Sequence, residues 1–145
     1  MTTTLSIDLR LESDGVREFL ESDFRILVVD DECSIRELIA GTLEESGYTV
    51  ETAANAAEAL DKLHGQRCDL LLTDYSMPRK TGLDLISQMR AEGLDIPVVL
   101  MTGRTAELLA ERPYLQVNVL LPKPFMIDEL LGVLANVLGS INPAA

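Results

Sequence analysis

The chain of 145 residues contains no tryptophan, and aromatic residues make up only 4% of it. A core without large rings has to be filled by Leu, Val, Ile and Ala. At 47% apolar residues there are enough of these for one domain of this length. Cysteine is scarce: Cys33 and Cys68 are the only two, and they are far apart. With no CxxC pair and a single histidine, His64, a zinc-type site is not expected. Both cysteines are expected as free thiols packed as small apolar groups, which suits a reducing compartment. No apolar run approaches the ~18 residues of a membrane span. The opening MTTTLSIDLR lacks a basic segment followed by an apolar one, so no signal peptide is expected and a cytoplasmic location is. Positive charge is also short, with 12 Lys and Arg against 24 Asp and Glu, a net charge of −12. Such a chain repels nucleic acid and anionic membrane surfaces. It accommodates a cation or a basic protein partner more easily, although solubility alone also accounts for the charge.

What is present is an alternation. RILVV (25–29), YTVET (48–52), DLLLTD (69–74), PVVLMT (97–102) and VNVLL (117–121) read as strands, the second more weakly than the others. Between them lie helical stripes. Ile35, Leu38, Ile39 and Leu43 recur at helical spacing, with Gly47 at the C′ position. Asn55 and Glu58 form a start like a capping box, and Gly65 is expected to close that helix. Thr81 and Asp84 repeat the cap spacing before Leu85, Ile86 and Met89, with Gly93 after them. A last stripe carries Ile127, Leu130, Leu131, Leu134, Val137 and Leu138. The pattern predicts an α/β fold: a doubly wound, five-stranded parallel sheet with helices on both faces. Pro113 makes the fourth helix short, near 105–111, or irregular. Residues 1–23 precede the pattern. They are either a tail or an element that packs on the domain or pairs with a second chain, since 5–12 alternates like a strand and Val16, Phe19 and Leu20 are spaced like a short helix. Residues 24–139 form the domain, and 140–145 are expected as a disordered end.

In such a sheet ligands gather beyond the carboxyl ends of the strands. Strand one delivers Asp30 and Asp31 there, strand three Asp74, the next Thr102 and the last Lys123. Three carboxylates crowded together need a counter-charge. A hard divalent cation such as Mg²⁺ takes oxygen ligands from carboxylates. Lys123 adds a point charge and Thr102 a hydroxyl donor, a set suited to a phosphoryl group.

The stretches ILVVDDE, LLLTDYSMP, VVLMTG and LPKPF, in this order and spacing, resemble the receiver domain of bacterial two-component response regulators over about residues 24–139. Each is weak alone; four in register with five βα units are specific. The resemblance implies a flavodoxin-like receiver fold in which Asp74 accepts a phosphoryl group from a phosphohistidine. It implies that Asp31 ligates Mg²⁺ directly, that Asp30 holds it through water, and that Asp74 and the backbone carbonyl of Ser76 complete the metal site. Lys123 would pair with Asp74 and then with the phosphoryl oxygens, Thr102 would move to bond them, and the Lys123–Pro124 bond would be cis. The implied partners are a sensor histidine kinase or phosphotransfer protein and an unidentified downstream protein. The chain would be a phosphoacceptor rather than an enzyme, although one that promotes its own phosphorylation and dephosphorylation.

Several residues depart from the family pattern or lie outside it. Leu120 stands where the family usually has Tyr, Phe or His; it is either ordinary core or a sign that the switch uses another element. Gly103 leaves the site open. Arg104 either reaches the phosphoryl group or a carboxylate, or is solvated. Tyr75 is expected to be exposed near the site, and His64 to be a surface residue. The alternatives to a single-domain regulator are a pseudo-receiver that acts as a constitutive interaction or dimerisation module, and the receiver part of a hybrid kinase. A homodimer through residues 5–20 is a further expectation. An aspartyl-phosphate phosphatase is disfavoured, because Ser76 stands where it would need a second acid.

Overall fold

The structure, a computed structural model, describes residues 24–104, 107 and 117–141. The expectations for 1–23 and, apart from the helical residue 107, for the helix near 105–111 lie outside the described residues; of the end expected as disordered, 140–141 continue the last helix and 142–145 lie outside. Five strands are seen: β1 (Arg25–Val29), β2 (Thr49–Ala53), β3 (Leu70–Asp74), β4 (Val98–Thr102) and β5 (Val119–Pro122). All pair in parallel, in the order β2-β1-β3-β4-β5. Among the described residues four helices accompany them in full: α1 (Cys33–Glu45), α2 (Ala56–Gly65), α3 (Gly82–Ala91) and α4 (Ile127–Ile141).

The continuous apolar runs are explained by two cores, one on each face of the sheet. Alternate side chains of one strand point to opposite faces. Leu27, Val29, Leu71, Val98 and Leu100 meet Ala59, Leu60, Leu63, Leu85, Ile86 and Met89 of α2 and α3. Ile26, Val28, Leu70, Leu72, Val99 and Met101 meet Ile39 and Leu43 of α1 and Leu130, Leu134 and Leu138 of α4. The central strands β3 and β4 are buried throughout, while the edge strands β2 and β5 are only partly so. Burying one such Leu contributes about 1.5–3 kcal/mol.

Local signals explain most element ends. Thr81 and Asp84 form a complete capping box at α3. Gly47 and Gly93 follow α1 and α3 with φ of 101° and 85°, the left-handed conformation that terminates a helix. Gly65 closes α2 as its last residue, as expected, and Gln66 caps the helix in an extended conformation. Elsewhere the expectations are refined. Asn55 does accept the Glu58 N–H, but the Glu58 carboxylate reaches one residue further back, to the Ala54 N–H. Strand β5 starts later than expected because Asn118 imitates a strand pair: its side-chain oxygen accepts the Val98 N–H at 2.8 Å while its own N–H donates to the Val98 carbonyl at 2.9 Å. The α1 stripe is only half buried, since Leu38 is 61% exposed and Ile35 37%. Cys33 is exposed at the start of α1, not packed, and bonds Glu37; Cys68 is partly buried, and both are free thiols.

Candidate functional site

Because the strands are parallel, their carboxyl ends share one rim. Asp30 and Asp31 follow β1, Asp74 and Thr102 end β3 and β4, and Lys123 follows β5. The register places Asp74 beside Met101, and Thr102 beside Pro122. Asp30, Asp31 and Asp74 each offer a carboxylate oxygen, all within 4.8 Å of one another. The Lys123 ammonium lies 2.6 Å from Asp74 Oδ1. Asp30, Asp74 and Thr102 are buried, whereas Asp31 faces solvent.

The acids are held by backbone. Asp30 Oδ1 accepts the Glu32 N–H at 2.9 Å, which fixes the turn into α1, and Arg36 of that helix donates to the Asp30 carbonyl at 2.8 Å. Asp74 is pinned from behind by Gly82. A Cβ at that position would fall 2.4 Å from the Asp74 carbonyl oxygen and 2.9 Å from Leu100 Cδ1, so only glycine lets α3 start there. The Gly82 N–H donates to the Tyr75 carbonyl at 2.8 Å, and the Tyr75 N–H to the Met101 carbonyl at 2.9 Å. Ser76 follows, exposed, in the β3–α3 loop. The Lys123–Pro124 bond is cis, as the family resemblance implies.

The electrostatics are unbalanced. Burial pushes the Asp30 carboxyl above its ordinary value; the Asp74 and Asp31 charges push it the same way, against the Glu32 N–H and Lys123. Its buried Oδ2 has no hydrogen-bond partner. Three carboxylates against one ammonium leave two formal negative charges in a partly buried cluster of oxygen donors. That donor set fits a hard divalent cation, and Mg²⁺ in particular, which binds through one or two carboxylates and retains several waters. A groove of about 410 Å³, lined by Asp31, Asn55, Arg79 and Lys80 among others, borders the acids.

Other residues singled out from the sequence fall differently. The Thr102 hydroxyl accepts the Arg104 N–H at 2.9 Å, and its carbonyl accepts the Lys123 N–H at 2.9 Å. Leu120 is partly buried and packs on the same core as Tyr75. His64 is on the surface, with Nε2 2.6 Å from Glu92 Oε1, away from the acids. Tyr75 is half-buried rather than exposed. Arg104 does not stand alone in water: its guanidinium lies 5.4 Å from the Tyr75 ring centroid and donates to the Tyr75 hydroxyl at 3.2 Å. This pairing escaped the sequence, because nothing in its spacing signals a contact between two loops.

Among known proteins, a family model described as the response regulator receiver domain matches residues 26–135. The response regulator MprA of Mycobacterium avium is 38% identical over 122 residues, covering 82% of this chain and 53% of MprA. The chain thus spans about half the length of the curated relatives it matches. Among solved structures, the chemotaxis regulator CheY4 of Vibrio cholerae superposes with a TM-score of 0.75 at 35% identity, covering 81% of this chain and all of CheY4 (100%). The response regulator TrrA of Thermotoga maritima, solved in complex with Mg²⁺-BeF, gives 0.72 at 35% identity, covering 79% and 99%. With a parallel sheet in the receiver order and acids gathered at its rim, the chain belongs to the response regulator receiver domain family.

Proposed function

We propose that Asp74 accepts a phosphoryl group from a phosphohistidine of a sensor histidine kinase or phosphotransfer protein. Mg²⁺ would be held by Asp30, Asp31, Asp74 and the Ser76 backbone carbonyl. One observation carries this reading: the 2.6 Å contact of Lys123 with Asp74, inside a carboxylate cluster that has a buried, unpartnered oxygen.

The residues divide the work. A carboxylate oxygen of Asp74 attacks phosphorus in line, and the P–N bond to the donor imidazole breaks. Its electron pair stays on the ring nitrogen. Lys123, already beside Asp74, moves its charge onto the phosphoryl oxygens as the carboxylate charge is spent. Thr102 supplies a hydroxyl donor to the same oxygens. Bound Mg²⁺ supplies further charge neutralisation and alignment, the two largest needs of phosphoryl transfer. Water attack on phosphorus later releases phosphate and restores Asp74. The acyl phosphate then signals through a changed protein–protein surface to a downstream protein. This reading puts the chain in the cytoplasm, beside its kinase.

Incubation with acetyl phosphate and Mg²⁺ is expected to add a phosphoryl mass that Asp74→Asn abolishes. The absence of any adduct, both with this donor and with a cognate kinase, rejects the reading. Leu120 favours a second one, a pseudo-receiver that binds partners without phosphorylation. A Mg²⁺ titration separates them: a working pocket binds the ion and loses it on Asp31→Ala, while a pseudo-receiver is indifferent.

A further inference from the structure

Leu120 leaves open which element, if any, senses the occupant of the site. We propose that Tyr75 and Arg104 act as a positioning pair that holds the Thr102 hydroxyl away from Asp74 until a phosphoryl group draws it in. This inference rests on the phosphoacceptor reading and adds a control to it.

Tyr75 is the fixed half. Its N–H is bonded to Met101 and its carbonyl to Gly82, so its backbone is tied to β4 and to the start of α3. Its ring packs partly against the core under α2 and α3, the same core that Leu120 touches. Arg104 is the loop half. It lies two residues beyond the end of β4, after Gly103, where an added Cβ would meet nothing within 4 Å. Two contacts hold its guanidinium on Tyr75: one to the ring face at 5.4 Å and one to the hydroxyl at 3.2 Å.

The link to chemistry is the Arg104 backbone. Its N–H donates to Thr102 Oγ1 at 2.9 Å, so the hydroxyl is folded back into its own loop. The Thr102 carbonyl is held by the Lys123 N–H, which leaves side-chain rotation as the ready motion at this residue. Rotation that carries Oγ1 towards Asp74 withdraws the acceptor from the Arg104 N–H. The Arg104 N–H is then left without this acceptor; in the proposal Arg104 shifts in response, and the shift loosens its hold on Tyr75. By linkage, whatever weakens the pair favours the occupied site.

Beryllofluoride with Mg²⁺, a phosphoryl mimic that needs no donor, tests this at equilibrium. A cation–π contact plus one hydrogen bond at a half-exposed position should shift the affinity by about three- to tenfold. Tyr75→Leu keeps the Arg104 charge near the site and frees the loop, so it is expected to tighten beryllofluoride binding by that factor. Tyr75→Phe keeps the ring and loses only the hydroxyl, and should give a smaller gain in the same direction. Affinity for Mg²⁺ alone should not move, which a merely structural role does not predict. In an Arg104→Ala background the Tyr75→Leu gain should vanish. Unchanged or weaker beryllofluoride binding in both Tyr75 variants, or a gain that persists without Arg104, overturns the proposal while leaving Asp74 as the acceptor. If the unmodified protein with Mg²⁺ takes up no beryllofluoride, both readings fall.

Discussion

The two ends of the sheet treat their acids in opposite ways. At the amino end, Asp69 is fully provided for. Its Oδ2 accepts the Arg25 N–H at 2.7 Å and lies 3.2 Å from Arg67 Nη2, and its own N–H donates to the Arg25 carbonyl at 2.8 Å. At the carboxyl end, three acids share one lysine, and Asp30 Oδ2 bonds nothing. Both acids sit beside a strand of the same sheet. The first serves the fold, closing a backbone donor at the start of β1. The second is held short of partners, a condition that a protein tolerates where a ligand supplies the balance.

The contrast is testable, and its largest expected effect concerns the metal. Asp31→Ala should lower Mg²⁺ affinity by at least about tenfold in a calorimetric titration. Asp69→Ala should leave it unchanged; an equal loss in both would erase the distinction. Next comes Gly82→Ala, which forces a methyl against the Asp74 carbonyl and Leu100. It should cost about 3 kcal/mol in urea unfolding and impair phosphorylation together with stability. An uneventful substitution would mean that the acceptor strand is not pinned from behind.

A subtler pair of variants sharpens the comparison by sign. In the metal-free protein Asp30→Asn removes one of three crowded charges and turns a donor towards the others. It should raise unfolding stability by about 1 kcal/mol while weakening Mg²⁺ binding. Asp69→Ala should lower stability by about 1–2 kcal/mol, because it strands the Arg25 N–H. The same sign for both would break the argument. The smallest effect lies at the amino end, where His64 holds Glu92. That hydrogen bond lowers the Glu92 carboxyl below its ordinary value of 4.5. A lowered carboxyl contributes stability above pH 4.5 and loses it as pH falls through the folded value. Glu92→Gln should therefore differ slightly from the parent at neutral pH and converge with it in acid thermal melts.

Much of this was legible from the sequence, and the reason lies in range. Apolar runs, cap pairs and terminating glycines act over a few residues. RILVV, the Thr81–Asp84 box, Gly47 and Gly93 could be read directly for that reason. The departures arose where a side chain took over a backbone role, as at Asn118, or where part of a stripe met no cover among the described residues. Ile35 and Leu38 have the spacing of a buried face, but the face of α1 turned to the sheet is narrower than the stripe.

The sequence by itself determined the composition of the five strands, the periodicity of the helices and the positions of Asp30, Asp31, Asp74, Thr102 and Lys123 at element ends. Only the tertiary structure decided that three carboxylates lie within 4.8 Å, that one of their oxygens is buried without a partner, and that Arg104 rests on Tyr75. Periodicity is set by a residue's chain neighbours. Closeness between loops is set by strand order and register, which follow from packing two cores at once and leave no mark at any single position.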